Sequence, residues 1–169
     1  MYDFIFLLGA QVSRKTTIAR ILKEKLSSPH IDFDWIRDFH LNKGWSNASD
    51  AEEEMSFESL IFLLKNYIKH NYKNIIVGGF TEENINKILE ELKDYKYIVV
   101  MLILTDDEIL KKRVLTESRD SGYRDFARSI EFNKKLNDEL KFPNEQKIDN
   151  TNQKPEETAN QIIKLLSKQ

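Results

Sequence analysis

The stretch Tyr2 to Leu26, YDFIFLLGAQVSRKTTIARILKEKL, constrains the fold of this chain more than any other. The apolar run Phe4 to Leu8 ends in Gly-Ala, the pattern of a strand buried on both faces as parallel sheets require. A helix pattern opens at Thr16, with Ile18, Ile21, Leu22 and Leu26 on one stripe and Ser27-Ser28-Pro29 closing it. Between the two, Gly9, Lys15 and Thr16 stand at the spacing of GxxxxGK[ST]. A loop of that kind, with the helix N-terminus behind it, points backbone N–H groups at a phosphate. One position departs from the pattern: Arg14 stands where the glycine before the lysine belongs.

The rest of the chain alternates strand and helix patterns. His30 to Asp34 predicts a short second strand that carries Asp32 and Asp34 at its C-terminal end, where open α/β sheets bind ligands. On an extended segment those two carboxylates point the same way. Asp38 to Asp50 is polar and predicts a loop or short irregular helix holding His40 and Trp45. Ala51 to His70 predicts a long helix with Phe57, Leu60, Ile61, Leu64 and Ile68 on its inner face and Glu52-Glu53-Glu54 near its positive end. Asn74 to Phe80 is the third strand, and Gly78-Gly79 at its end permits a close approach to the backbone.

Thr81 is placed to cap the next helix, and Tyr97 to Leu104 is the fourth and most apolar strand. Thr105-Asp106-Asp107-Glu108 matches a capping box for a helix running to about Arg119, where Asp120-Ser121-Gly122 breaks it. A helix over Phe126 to Leu140, a short strand over Lys147 to Asp149 and a last helix begun by Pro155 complete the chain. The order predicts one α/β domain, helices on both faces of a five-stranded, mostly parallel sheet. The 169 residues, 40% hydrophobic, suit a single domain of this kind.

The residue types suggest phosphate chemistry. Lys15 is suited to neutralising β/γ-phosphate charge and the Thr16 hydroxyl to reaching Mg²⁺, with Gly9, Ser13, Arg14 and Thr17 completing the loop. Of Asp32 and Asp34, one can hold Mg²⁺ through water and the other accept a proton from an attacking hydroxyl. The plainer alternative is a pair of solvated carboxylates. Arg37 either pairs with an anionic substrate group or with Asp34. Arg113, Arg119, Arg124 and Arg128 flank the Gly122 break as in a closing lid, although a basic run is also an ordinary solvated face. His40 and Trp45 fall where an acceptor would bind, or simply pack. Asn150 to Pro155 either lines a nucleobase or merely connects two elements.

Other chemistries are disfavoured. With no cysteine, disulfides, thiolate metal sites and cysteine nucleophiles are ruled out, which suits a cytoplasmic setting. A net charge of −2 provides no bulk field for a nucleic-acid backbone. No stretch approaches the roughly 20 apolar residues of a membrane span. The sequence leaves oligomeric state open.

Taken together, the loop, Asp32-Phe33-Asp34, Gly78-Gly79, the arginine-flanked break and the Asp149-Asn-Thr-Asn…Pro-Glu-Glu ending resemble the nucleoside-monophosphate-kinase-like P-loop family. That group includes shikimate kinases, gluconate kinases, chloramphenicol phosphotransferases and tunicamycin-resistance proteins. The resemblance implies strand order 2-3-1-4-5, an acceptor region at about Arg37 to His70 and a lid at about Arg119 to Arg128. ATP and Mg²⁺ would be the cofactors, and a small-molecule hydroxyl the acceptor. Asp32 would be the Mg²⁺-side carboxylate and Asp34 the acceptor ligand or base. Arg119, with Arg124, would offset the charge of the transferring group. Gly78 and Gly79 would lie at the acceptor, and Asn152 to Pro155 would border adenine. Two departures stand out: Gln11-Val12-Ser13-Arg14 lacks the usual loop glycines, and the third strand has no terminal acidic residue. The alternative is therefore a P-loop-fold protein that has lost catalysis or binds nucleotide only weakly.

Overall fold

The computed structural model describes residues 1–80, 82–116, 125–138 and 140–167, with the side chains of 82 and 83 outside that description. Five parallel strands form one sheet in the order β2-β3-β1-β4-β5. They are β1 (Phe4–Gly9), β2 (His30–Asp32), β3 (Ile75–Gly78), β4 (Tyr97–Ile103) and β5 (Glu145–Asp149). The helices are α1 (Lys15–Leu26), α2 (Phe33–Asp38), α3 (Asp50–Lys69), α4 (Glu82–Glu91), α5 (Asp107–Leu115), α6 (Phe126–Asp138) and α7 (Pro155–Leu166).

Strand periodicity divides the core into two layers. On one face Phe4, Phe6, Val77, Val99 and Met101 pack under α3 and α4 through Leu60, Leu64, Ile85 and Ile88. On the other, Ile5, Leu7, Ile76, Val100 and Leu102 meet Ile18 and Leu22 of α1 and Ile162 of α7. β1 therefore has apolar contacts on both sides, which explains its unbroken apolar run. Buried Asp3 fixes the start of this sheet: its carboxylate takes Lys73 Nζ at 2.5 Å and the Lys96 N–H at 2.8 Å, tying the entrances of β1, β3 and β4 together.

Several boundaries differ from the sequence expectation. The second strand stops at Asp32, and residues 33–38 are helical. The Asp32 carboxylate accepts the Asp34 N–H at 3.2 Å as an N-cap, while Phe33 and Ile36, one turn apart, are buried. Asp106, not Thr105, caps α5, accepting the N–H groups of Glu108 and Ile109 at 2.9 and 3.0 Å. Thr105 instead donates to Asp149. That helix ends at Leu115, and α6 ends at Asp138. β5 begins two residues early, at Glu145, whose carboxylate takes the N–H groups of Lys141 and Phe142. The expected cap Thr81 and the Asp120-Ser121-Gly122 break lie outside the described residues.

Candidate functional site

The loop between β1 and α1 closes tightly. Gly9 has φ 139°, and a Cβ there would lie 2.4 Å from the Leu102 carbonyl oxygen and 2.8 Å from Ser13 Oγ. Only glycine lets β1 turn so close to β4. Both the N–H and the hydroxyl of buried Ser13 return to the Ala10 carbonyl, at 3.0 and 2.7 Å. Arg14 then takes the left-handed conformation (φ 62°, ψ 27°) at the N-cap of α1. An arginine therefore adopts the backbone shape for which glycine is suited.

That shape costs a residue with a Cβ about 1–2 kcal/mol. Arg14→Gly is accordingly expected to stabilise the protein by about 1 kcal/mol, a rise of about 2–4 °C in Tm, measured by thermal or urea unfolding. The Arg14 side chain does not fill the loop; its Nη1 donates outward to the Gln153 carbonyl at 3.3 Å. Lys15 Nζ folds back over the loop onto the carbonyls of Gly9 and Ala10, at 2.8 and 2.9 Å. No side chain caps α1, its first turn holds no acidic residue, and Thr16 and Thr17 are exposed there. The helix thus presents its positive end to the loop.

The segment after β5 lies against this loop. Buried Asn150 donates Nδ2 to the Ser13 carbonyl at 2.7 Å, a contact between residues 137 apart that no local pattern announces. Arg113 Nη2 donates to the carbonyls of Asn150 and Thr151 at 2.9 and 2.6 Å. Burial, followed by the charge of Arg14, pulls the Arg113 guanidinium down to about 10, with Asp149 opposing. Burial also pushes Asp149 up, but hydrogen bonds from Thr151 and Thr105 and the Arg113 charge hold it below its usual value. Asn152 is exposed on this segment, and Pro155, half-buried, opens α7.

At the C-terminal end of β2, two strands from β1, Asp32 and Asp34 do not share an extended face, because Asp34 sits in the first turn of α2. Gly79, at φ 82°, admits the Asp32 carboxylate: a Cβ there would fall 2.1 Å from Oδ1 and 2.8 Å from the Phe33 nitrogen. Gly78 lies at the same carboxylate, its would-be Cβ 4.0 Å from Oδ2. What comes close to these glycines is thus part of the chain itself. Burial, and then the charge of Asp32, raise Asp34 above the ordinary carboxylate value, against the pull of Arg37.

Arg37 is buried and fully engaged within α2 and α3. Nη1 meets Asp34 Oδ1 at 2.9 Å, Nε and Nη2 reach Glu53 at 3.0 and 2.7 Å, and Cζ lies 4.1 Å from the Phe33 ring centroid. Of the two roles open to it, the structure places it with Asp34. Glu53, seen in the sequence only as a dipole-matching acid, is its strongest partner. His40 Nε2 lies 3.2 Å from both Ser56 Oγ and Glu52 Oε2, and Trp45 Nε1 donates to Asp38 at 2.9 Å. Arg119 and Arg124 lie outside the described residues. Beside Gly9, a small cavity of about 20 Å³ is walled by Leu8, Phe80, Met101, Phe132 and Phe142. Among the described residues no three His, Asp or Glu side chains converge as a metal cluster, and no helix is long and apolar enough to cross a membrane.

A parallel sheet of order 2-3-1-4-5, with a glycine-hinged loop feeding a helix from its central strand, defines a P-loop kinase fold. The relatives are of the same kind: the chain is similar to nucleoside-monophosphate-kinase-like and small-molecule kinases. It is 29% identical over 173 residues to a shikimate kinase of Enterococcus faecalis, covering 97% of this chain and 98% of that one. It is 27% identical over 168 residues to a Pyrococcus abyssi protein provisionally named an adenylate kinase, covering 96% and 83%. A sugar kinase from a Janibacter species, solved without ligand, superposes with a TM-score of 0.68 at 15% identity, covering 99% of this chain and 95% of that one. No protein-family profile matches the sequence.

Proposed function

We propose that this protein is an ATP-dependent phosphotransferase that moves a phosphoryl group onto a hydroxyl of a small molecule. One observation carries the reading. Arg14, at the substituted position, takes the left-handed backbone conformation to which glycine is suited and turns its side chain out to Gln153, which supports a loop still able to cradle phosphate. The α1 N-terminus, uncapped by any side chain, supports the same reading. The kinase names of the curated relatives support it from outside the chain.

In this reading the amides of residues 9 to 15 and Lys15 hold the β- and γ-phosphates, with Thr17 behind them. Thr16 and Asp32 would hold Mg²⁺, which neutralises phosphate charge. One hydroxyl and one carboxylate would suffice for that ion, since Mg²⁺ takes few protein ligands and keeps waters and phosphate oxygens. Asp34, half-exposed and held through one oxygen by Arg37, would orient the acceptor hydroxyl and accept its proton. Arg119 and Arg124 would offset charge on the transferring group, and Asn152 and Pro155 would border the base. Arg37 and His40 would shape the acceptor wall from behind, with Gly78 and Gly79 supporting Asp32. ATP as donor implies a cytoplasmic setting.

The test combines binding with turnover. ATP·Mg²⁺ at about 100 times its Kd is expected to stabilise the protein by about 2.7 kcal/mol, a Tm rise of about 5–10 °C. ADP release across a panel of hydroxyl acceptors then identifies the substrate. No shift at millimolar nucleotide, together with no ADP formed, would favour a protein of this fold without catalysis.

A further inference from the structure

Arg14 and Arg113 bring two guanidinium groups to one short segment. Arg14 closes the phosphate loop and donates to the Gln153 carbonyl. Arg113, on α5, donates to the carbonyls of Asn150 and Thr151. Both therefore fasten onto residues 150–153, the same segment whose Asn150 amide grips Ser13. Two like charges gathered on one segment repel, and Arg113 is depressed to about 10 by burial and by Arg14, with Asp149 in opposition.

The pair also leaves hydrogen-bonding capacity unused. Arg113 Nη1 is buried with no hydrogen-bond partner among the described residues, and so is Oδ1 of Asn150, a residue only 1% exposed. Buried polar groups are ordinarily matched, and an unmatched guanidinium donor beside a second cation is placed to receive an anion. Arg14 joins the loop that would take the terminal phosphates to the segment that would border the base. Its charge stands between the two regions that a nucleotide has to bridge.

We propose that Arg14 and Arg113 together form a paired-guanidinium seat for the α-phosphate and ribose end of the nucleotide whose β- and γ-phosphates occupy the loop. The inference rests on the phosphate-loop reading. It makes Arg14 a ligand-binding residue and not an obstruction, so the side chain gives back in binding what its left-handed backbone loses in stability. Restoring the glycine should then move stability and affinity in opposite directions.

The experiment titrates the wild type, Arg14→Gly and Arg14→Lys with ATP·Mg²⁺ and with Mg²⁺-pyrophosphate by calorimetry, beside a thermal unfolding series. Pyrophosphate can fill the β/γ positions but has no ribose end. Arg14→Gly is expected to weaken ATP about tenfold, the scale of a lost charge-assisted contact, while its Tm rises. Pyrophosphate binding should change less than about twofold, and Arg14→Lys should recover part of the loss, a point charge replacing a fork. Arg14→Gly binding ATP as tightly as wild type, or losing ATP and pyrophosphate alike, overturns the seat. If the wild type binds neither ligand, the phosphate-loop reading falls and this inference falls with it.

Discussion

Lys15→Ala is expected to lower phosphoryl transfer by about 10²–10³-fold or more while leaving the protein folded. The lysine is half-buried at the first position of α1, and its Nζ sits on the carbonyls of Gly9 and Ala10. Those are neutral acceptors at the mouth of the loop, and each such bond is worth only about 1 kcal/mol net. Alanine is the best residue in a helix, so the truncation removes a charge from the loop with little penalty to α1. The measurement pairs kcat/KM for the best acceptor with a thermal melt. Lys15→Arg should not restore turnover, because a planar fork cannot occupy the place of a compact ammonium between two carbonyls. Retained turnover in Lys15→Ala, with the melt unchanged, would remove Lys15 from the reaction.

The fold was legible wherever a pattern is local. The runs at Phe4, Asn74 and Tyr97 became the three inner strands because a strand buried on both faces has no polar positions to confuse its reading. The Asp32-Phe33-Asp34 segment was misread because an aspartate ending a strand and an aspartate capping a helix look alike; burial of Phe33 and Ile36 decides it. Site contacts were legible only in part. The motif spacing placed Gly9 at the end of β1 and Lys15 where α1 begins, but not the bonds from Lys15 to the Gly9 and Ala10 carbonyls. Arg37 with Glu53, Asn150 with Ser13 and Arg14 with Gln153 join residues 16, 137 and 139 apart, and these depend on tertiary packing alone. Arg14 was the hardest position, since glycine predicts the left-handed conformation and arginine does not, yet tertiary context imposes it all the same.

Gly79→Ala is expected to cost about 3 kcal/mol or more, adding a left-handed penalty of about 1–2 kcal/mol to an overlap of about 1–3 kcal/mol. The overlap is specific, because the new Cβ would lie 2.1 Å from Asp32 Oδ1. Asp32→Ala alone removes the α2 cap and should cost about 1 kcal/mol. If the carboxylate is what Gly79 makes room for, the double variant will be more stable than the sum of the single effects by about 1 kcal/mol or more. Recovery should be incomplete, because the φ of 82° and the Phe33 nitrogen at 2.8 Å remain. Urea unfolding of the four proteins measures the coupling, and simple additivity would show that Asp32 and Gly79 do not share this space. A positive coupling ties the small residues at the end of β3 to the carboxylate at the end of β2. The missing acidic residue on the third strand and the glycines in its place are then one arrangement, in which the neighbouring strand supplies the carboxylate and the third strand makes room for it.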